Sequence, residues 1–209
     1  MRCDGWPIRQ ADGMRMARWT VLPALVAPVV LLLGITIAAA LQPAPFDPLR
    51  DTISASAALD ATDRGVMTLA LACLGLAHLG TAVGLRVRPA ARLMLGAGGV
   101  STVLVAVFPL PSGGGSSPAH TTAAMIAFAA LTIWPLGLLP LPASGRLISG
   151  PALLVAVSVL AALVCWFAAE LLSGGPLVGL SERVAAVAQA LYPLLLVLDA
   201  RLATRRGGR

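Results

Sequence analysis

Residues 19–41 read WTVLPALVAPVVLLLGITIAAAL, a continuous apolar run without one charged side chain. As an α-helix rising about 1.5 Å per residue, such a run crosses the roughly 30 Å of hydrocarbon in a bilayer. The apolar core of a secretory signal is shorter, about 7–15 residues. The run is therefore read as a helix that stays in the chain, although Ala38 to Ala40 carry the small side chains of a cleavage site.

Outward from this run the pattern repeats at about residues 66–85, 93–110, 122–141, 147–172 and 184–202. Each run is continuously apolar, whereas a barrel strand alternates and needs only about ten residues. The expected fold is all-α, a polytopic transmembrane bundle of six helices over residues 19–202, with short segments 1–18 and 203–209 at its ends. The last helix is the weakest, since Asp199 and Arg201 trim its apolar part to about 15 residues, a length that spans by snorkelling or local thinning.

Composition excludes the alternatives. Hydrophobic residues make up 58% of the 209 and charged residues 11%, with a mean hydropathy of +0.88. A soluble domain carries about 25% charged residues, and no single core of this size hides so much apolar surface. The net charge of +6 comes from arginine, because all 15 basic residues are Arg. They flank the apolar runs and match no nucleic-acid motif, so nucleic acid is not an expected partner.

With the N-terminus inside, Arg2, Arg9, Arg15, Arg18, Arg86, Arg88, Arg92, Arg146, Arg201, Arg205, Arg206 and Arg209 fall in the cytoplasm. Only Arg50, Arg64 and Arg183 fall outside. This bias predicts that both termini are cytoplasmic, in the cell membrane, and it requires an even number of helices.

Gly80 and Gly84 form a small-xxx-small pair, and Gly96, Gly98 and Gly99 cluster in the third run. Both allow close helix approach. Pro23, Pro28, Pro135 and Pro193 each remove a backbone hydrogen bond. Trp134-Pro135-Leu136 and Tyr192-Pro193-Leu194 share an aromatic-proline-leucine step, but the residues around them match poorly as a repeat.

Polar chemistry collects on the expected outer side. Asp47, Asp51, Ser54, Asp60, Asp63 and Arg64 follow the first run, His120 opens the fourth, and Glu170, Ser181, Glu182 and Arg183 surround the turn before the last. The candidate catalytic residues are Asp47, Asp51, Ser54 and His120, with Ser54, His120 and Asp51 able to form a serine, histidine and carboxylate set if folding brings them together. Equally, these residues can be solvated loop groups, caps and ion pairs. No close ligand pair such as HxxxH or HExxH occurs, so no metal site is expected. Cys3, Cys73 and Cys165 lack ligand spacing and imply no disulfide framework.

His78 is the strongly polar side chain well inside an apolar run, about 12 residues or roughly 18 Å from the outer end of the second helix. It is a candidate proton relay or a simple helix-joining hydrogen bond. His78 and His120 differ too much in depth for paired haem ligation. No nucleotide motif and no other cofactor signature is present.

These residues also carry a resemblance. Phe46-Asp47-Pro48-Leu49 with Ile53-Ser54, Phe108-Pro109, His120, Trp134-Pro135 and Gly179-Leu180-Ser181-Glu182-Arg183 resemble the bacterial membrane family called domain of unknown function 998 over nearly the whole chain. The resemblance implies a six-helix integral membrane protein and no activity. Three functions follow as expectations. One is a non-enzymatic protein binding membrane lipid or another membrane protein. The second is an outer-face lipid hydrolase or transferase, and the third a small proton-coupled transporter using His78.

Overall fold

The computed structural model of the protein describes residues 14–139 and 145–207. Arg2, Cys3, Arg9, Leu141 and Arg209 lie outside these residues. Six helices form the bundle: α1 Val21–Leu41, α2 Gly65–Gly84, α3 Pro89–Val107, α4 Pro118–Ile133, α5 Gly150–Ser173 and α6 Val178–Gly207. With its flanking 3-10 turns where present, each is long and apolar enough to cross a membrane. Large apolar side chains such as Leu22, Leu69, Leu93, Met125, Val155 and Leu172 are exposed on the bundle's surface. Lipid is the solvent that accepts such a surface without cost.

Several helix limits differ from the hydropathy pattern for local reasons. Pro89 and Pro118 sit at the first helical positions of α3 and α4, where a missing N–H costs nothing and the fixed φ suits the helix. Ser117 and Ser149 accept N–H groups of the first turns of α4 and α5, as N-cap side chains do. Both helices thus start on capped sequence rather than on the first long apolar residue. At its other end α4 tightens into the 3-10 turn Trp134–Leu138, which contains Pro135. Glycine ends α5, since Gly174 has φ of 64°, a conformation only glycine adopts freely.

Helix α2 packs between α1 and α3, α3 packs on α4, and α6 closes against α1 and α5. The tightest crossing is glycine against glycine. A Cβ added to Gly75 would lie 2.5 Å from the Gly99 carbonyl oxygen, and one added to Gly99 would lie 2.7 Å from the Gly75 oxygen. Here α2 and α3 meet backbone to backbone, which is how apolar helices gain packing where water supplies no drive. By contrast α5 buries only Leu153 and Leu160, so it is the most peripheral of the six helices. The two aromatic-proline steps meet, with the rings of Trp134 and Tyr192 6.1 Å apart between centroids.

Both ends of the described chain lie at one end of the bundle. Arg15–Met16 pairs antiparallel with Leu85–Arg86, and Arg201 of α6 donates to the Arg18 carbonyl. Asp199 accepts the N–H groups of Arg146 and Leu147 at 3.2 and 2.8 Å. A charge expected to shorten the last helix thus anchors the connection before α5. Arg18, Arg86, Arg88, Arg146, Arg201 and Arg205 gather here, and this is called the basic end.

The far end holds the loop between α1 and α2. Gln42 clamps its base by donating to the Thr62 oxygen and accepting from the Thr62 N–H. Between these points the chain dips into the bundle, so that Ile53, Ser56 and Ala57 are buried. Helix α6 extends for 30 residues, beginning before the Ser181-Glu182-Arg183 triplet that reads as a loop. Its first turns are held by that dipping loop. The Arg183 guanidinium donates to the carbonyls of Pro48 and Asp51, each at 2.7 Å, and the Leu180 N–H donates to the Leu49 carbonyl.

Candidate functional site

Ser54, His120 and Glu182 meet at the far end from three separate elements. Ser54 lies at the bottom of the dipping loop, His120 in the first turn of α4, and Glu182 in the second turn of α6. His120 Nδ1 is 2.8 Å from the Phe108 carbonyl oxygen. A carbonyl only accepts, so Nδ1 carries the proton and donates. That leaves the Nε2 lone pair of the neutral ring directed at Ser54 Oγ, 3.1 Å away. The serine hydroxyl is therefore the donor to the histidine.

Glu182 approaches the same serine from the other side, with Oε1 3.4 Å from Ser54 Oγ. Its Oε2 accepts the Ile53 N–H at 2.5 Å. The carboxylate is buried, and among the described residues no ion pair to it is formed. It thus holds the loop by a hydrogen bond to backbone. Ser54 has one hydroxyl hydrogen for two acceptors, and the shorter contact is to His120.

Two cavities adjoin this cluster. The larger, about 620 Å³, runs between α4 and α5. Thr52, Ser54, Ser116, His120 and Glu182 form its polar end, and Met125, Phe128, Val164, Phe167 and Leu171 line its apolar body. Phe128 and Phe167 join its walls with centroids 5.3 Å apart. The smaller, about 60 Å³, lies inside the bundle and runs from Ser54 and Glu182 to His78, Thr102 and Gln189. Ser54 and Glu182 thus stand on the partition between a lipid-facing groove and an internal space.

His78 is 1% exposed, and neither ring nitrogen has a hydrogen-bond partner among the described residues. Gln189 is better satisfied, donating to the Phe128 carbonyl and to Thr132 Oγ1, both at 2.9 Å. That pair of bonds ties α6 to α4 above the internal cavity.

Of the four catalytic candidates, folding brings Ser54 and His120 together and leaves Asp47 and Asp51 apart from them. The Asp51 carboxylate accepts the Asp47 N–H at 2.7 Å, Asp47 accepts the Leu49 N–H at 2.9 Å, and neither lines the two cavities. They shape the loop. The carboxylate beside Ser54 is Glu182, which with Arg183 reads in the sequence as a solvated loop charge. His78 stands deep in the internal cavity rather than in the groove. Among the described residues no group of three His, Cys, Asp or Glu side chains is arranged to hold a metal ion.

A family model described as protein of unknown function, DUF998, matches residues 25–199. The chain belongs to this family. The match extends from α1 into α6 and includes the dipping loop, His120 and Glu182. No curated protein and no solved structure matches the chain.

Proposed function

We propose that this DUF998 member is a bacterial cell-membrane protein that holds a membrane lipid between α4 and α5, with both termini in the cytoplasm. The arginine bias supports the orientation, since it assigns the basic end to the cytoplasmic face and Ser54, His120 and Glu182 to the outer leaflet.

The observation that carries the lipid reading is the groove of about 620 Å³, apolar along its body and polar at one end. Its volume falls in the range of about 300–1,000 Å³ typical of ligand pockets. An alkyl chain gains little merely by leaving other alkyl chains, so selectivity must arise at the polar end. There Ser54 and His120 offer hydrogen-bonding groups in a low-dielectric setting, where such bonds are strong and specific. The substrate class is a lipid whose ester, hydroxyl or amide meets Ser54 while its chain lies along Phe128 and Phe167.

Filling the groove tests this. Ala129 and Ala168 line its walls away from Ser54. The wild-type chain released from gentle detergent into native mass spectrometry is expected to carry a bound lipid, and Ala129→Trp with Ala168→Trp to lose it at an unchanged melting temperature. Equal lipid occupancy in both proteins would sink the reading.

The 3.1 Å contact between Ser54 Oγ and His120 Nε2 favours a second reading, acyl transfer or hydrolysis at the same place. A nucleophile, a base and a group orienting the base are the elements such chemistry needs. In that reaction Ser54 Oγ attacks the ester carbonyl as His120 Nε2 takes its proton. The alcohol leaves with that proton, and water or a second alcohol releases the acyl group from the serine.

A further inference from the structure

At the basic end, opposite the groove, Arg18, Arg86, Arg201 and Arg205 surround one pocket of about 800 Å³. They come from three elements: Arg18 precedes α1, Arg86 lies on the two-residue strand after α2, and Arg201 and Arg205 stand one turn apart on α6. Among the described residues no acidic side chain lines the pocket. The nearest carboxylate in the α6 sequence, Asp199, is engaged by the N–H groups of Arg146 and Leu147. Arg201 uses one nitrogen on the Arg18 carbonyl, and no hydrogen bond or ion pair is formed by the side chains of Arg18, Arg86 or Arg205 among the described residues.

Setting membrane orientation requires arginines near the end of the spans but not around a common space. Convergence is an added feature, and four like charges repel unless an anion sits among them. The guanidinium fork matches phosphate oxygens in paired bonds. The pocket's position selects among phosphates. One membrane span begins at Arg18 and another ends at Arg205, so these side chains stand at headgroup depth. Trp19 and Leu202, exposed beside them, present apolar surface for the attached chains, and Met14, Met16 and Ala200 add apolar floor.

We infer that this pocket binds a phosphate-bearing anion, specifically the headgroup of an anionic phospholipid in the adjacent leaflet, separate from the lipid in the α4–α5 groove.

The experiment uses the full chain in nanodiscs of phosphatidylcholine with added phosphatidylglycerol or cardiolipin, and in parallel detergent samples with inorganic phosphate or pyrophosphate. Retained lipid is read by native mass spectrometry, and stabilisation by the shift in melting temperature. Wild type is expected to enrich the anionic lipids over phosphatidylcholine, and R86Q with R205Q to cut that enrichment by about tenfold or more. Arg86→Lys with Arg205→Lys should keep part of it, as charge remains but the fork is lost. Thr204→Trp, which fills the pocket and removes no charge, should also abolish it and guards against a loss caused by altered orientation. Equal retention of neutral and anionic lipid by wild type, or unchanged enrichment in Thr204→Trp, overturns the proposal. Stabilisation by pyrophosphate without enrichment of anionic lipid overturns the lipid source and assigns the site to free phosphate.

Discussion

His120 Nε2 stands 3.1 Å from Ser54 Oγ while its Nδ1 is held 2.8 Å from the Phe108 carbonyl. Those three residues come from the α1–α2 loop, the start of α4 and the end of α3. The carbonyl fixes the tautomer of the neutral ring, so in that form the serine hydroxyl faces a basic nitrogen rather than a second N–H.

If that pairing activates Ser54, a lipophilic fluorophosphonate should label the protein at Ser54, and Ser54→Ala should abolish labelling. His120→Gln should slow labelling by about 10²–10⁴-fold, the usual contribution of a positioned base. Peptide mapping by mass spectrometry checks the site. Absence of labelling in wild type, with lipid still bound, would remove the acyl-transfer reading and leave lipid binding intact.

Glu182 is expected to matter more for the loop than for the serine. Glu182→Ala leaves the buried Ile53 N–H without its acceptor, a loss of roughly 1–3 kcal/mol, and should lower the melting temperature by several degrees, as expected for such a loss in a chain this long. Glu182→Gln keeps an acceptor oxygen of nearly the same size and should lose less. Protease cleavage within the Asp47 to Ser54 segment should rise in the alanine variant. Indistinguishable melting of both variants and wild type would show that the contact with Ile53 is not holding the loop.

His78 supplies the opposite case. Its ring nitrogens have no partner among the described residues, and leaving a buried polar group unpaired costs about 1–3 kcal/mol. His78→Leu, of similar volume, should therefore melt at the same temperature or higher and keep the lipid of the α4–α5 groove. A marked loss of stability would mean that the ring is hydrogen-bonded through water in the cavity of about 60 Å³, a space large enough for several such molecules.

Much of the fold is legible in residues 19–41 and their five counterparts, because membrane insertion is decided segment by segment by hydropathy and length. Local chemistry moves some of the starts: Pro89 and Pro118 open α3 and α4 before the residues where hydropathy places them, and Ser149 caps α5 just after. What hydropathy misjudged was α6. Glu182 and Arg183 read as loop charges because their partners, Ile53, Pro48 and Asp51, lie more than a hundred residues earlier in the chain.

The candidate site divides in the same way. Ser54 and His120 stand out in the sequence as a nucleophile and a base on one side of the membrane, and the choice of carboxylate does not. Asp51 is nearer in sequence, but its side chain closes a local turn onto Asp47. Glu182 reaches Ser54 only because the α1–α2 loop descends into the bundle and meets the first turns of α6. By itself the sequence determined that the chain forms six apolar helices and where its arginines collect, since both depend on local composition. Only the tertiary structure decided which polar groups meet, at Ser54 and around the arginine pocket, because contacts between distant segments depend on helix packing that no single run encodes.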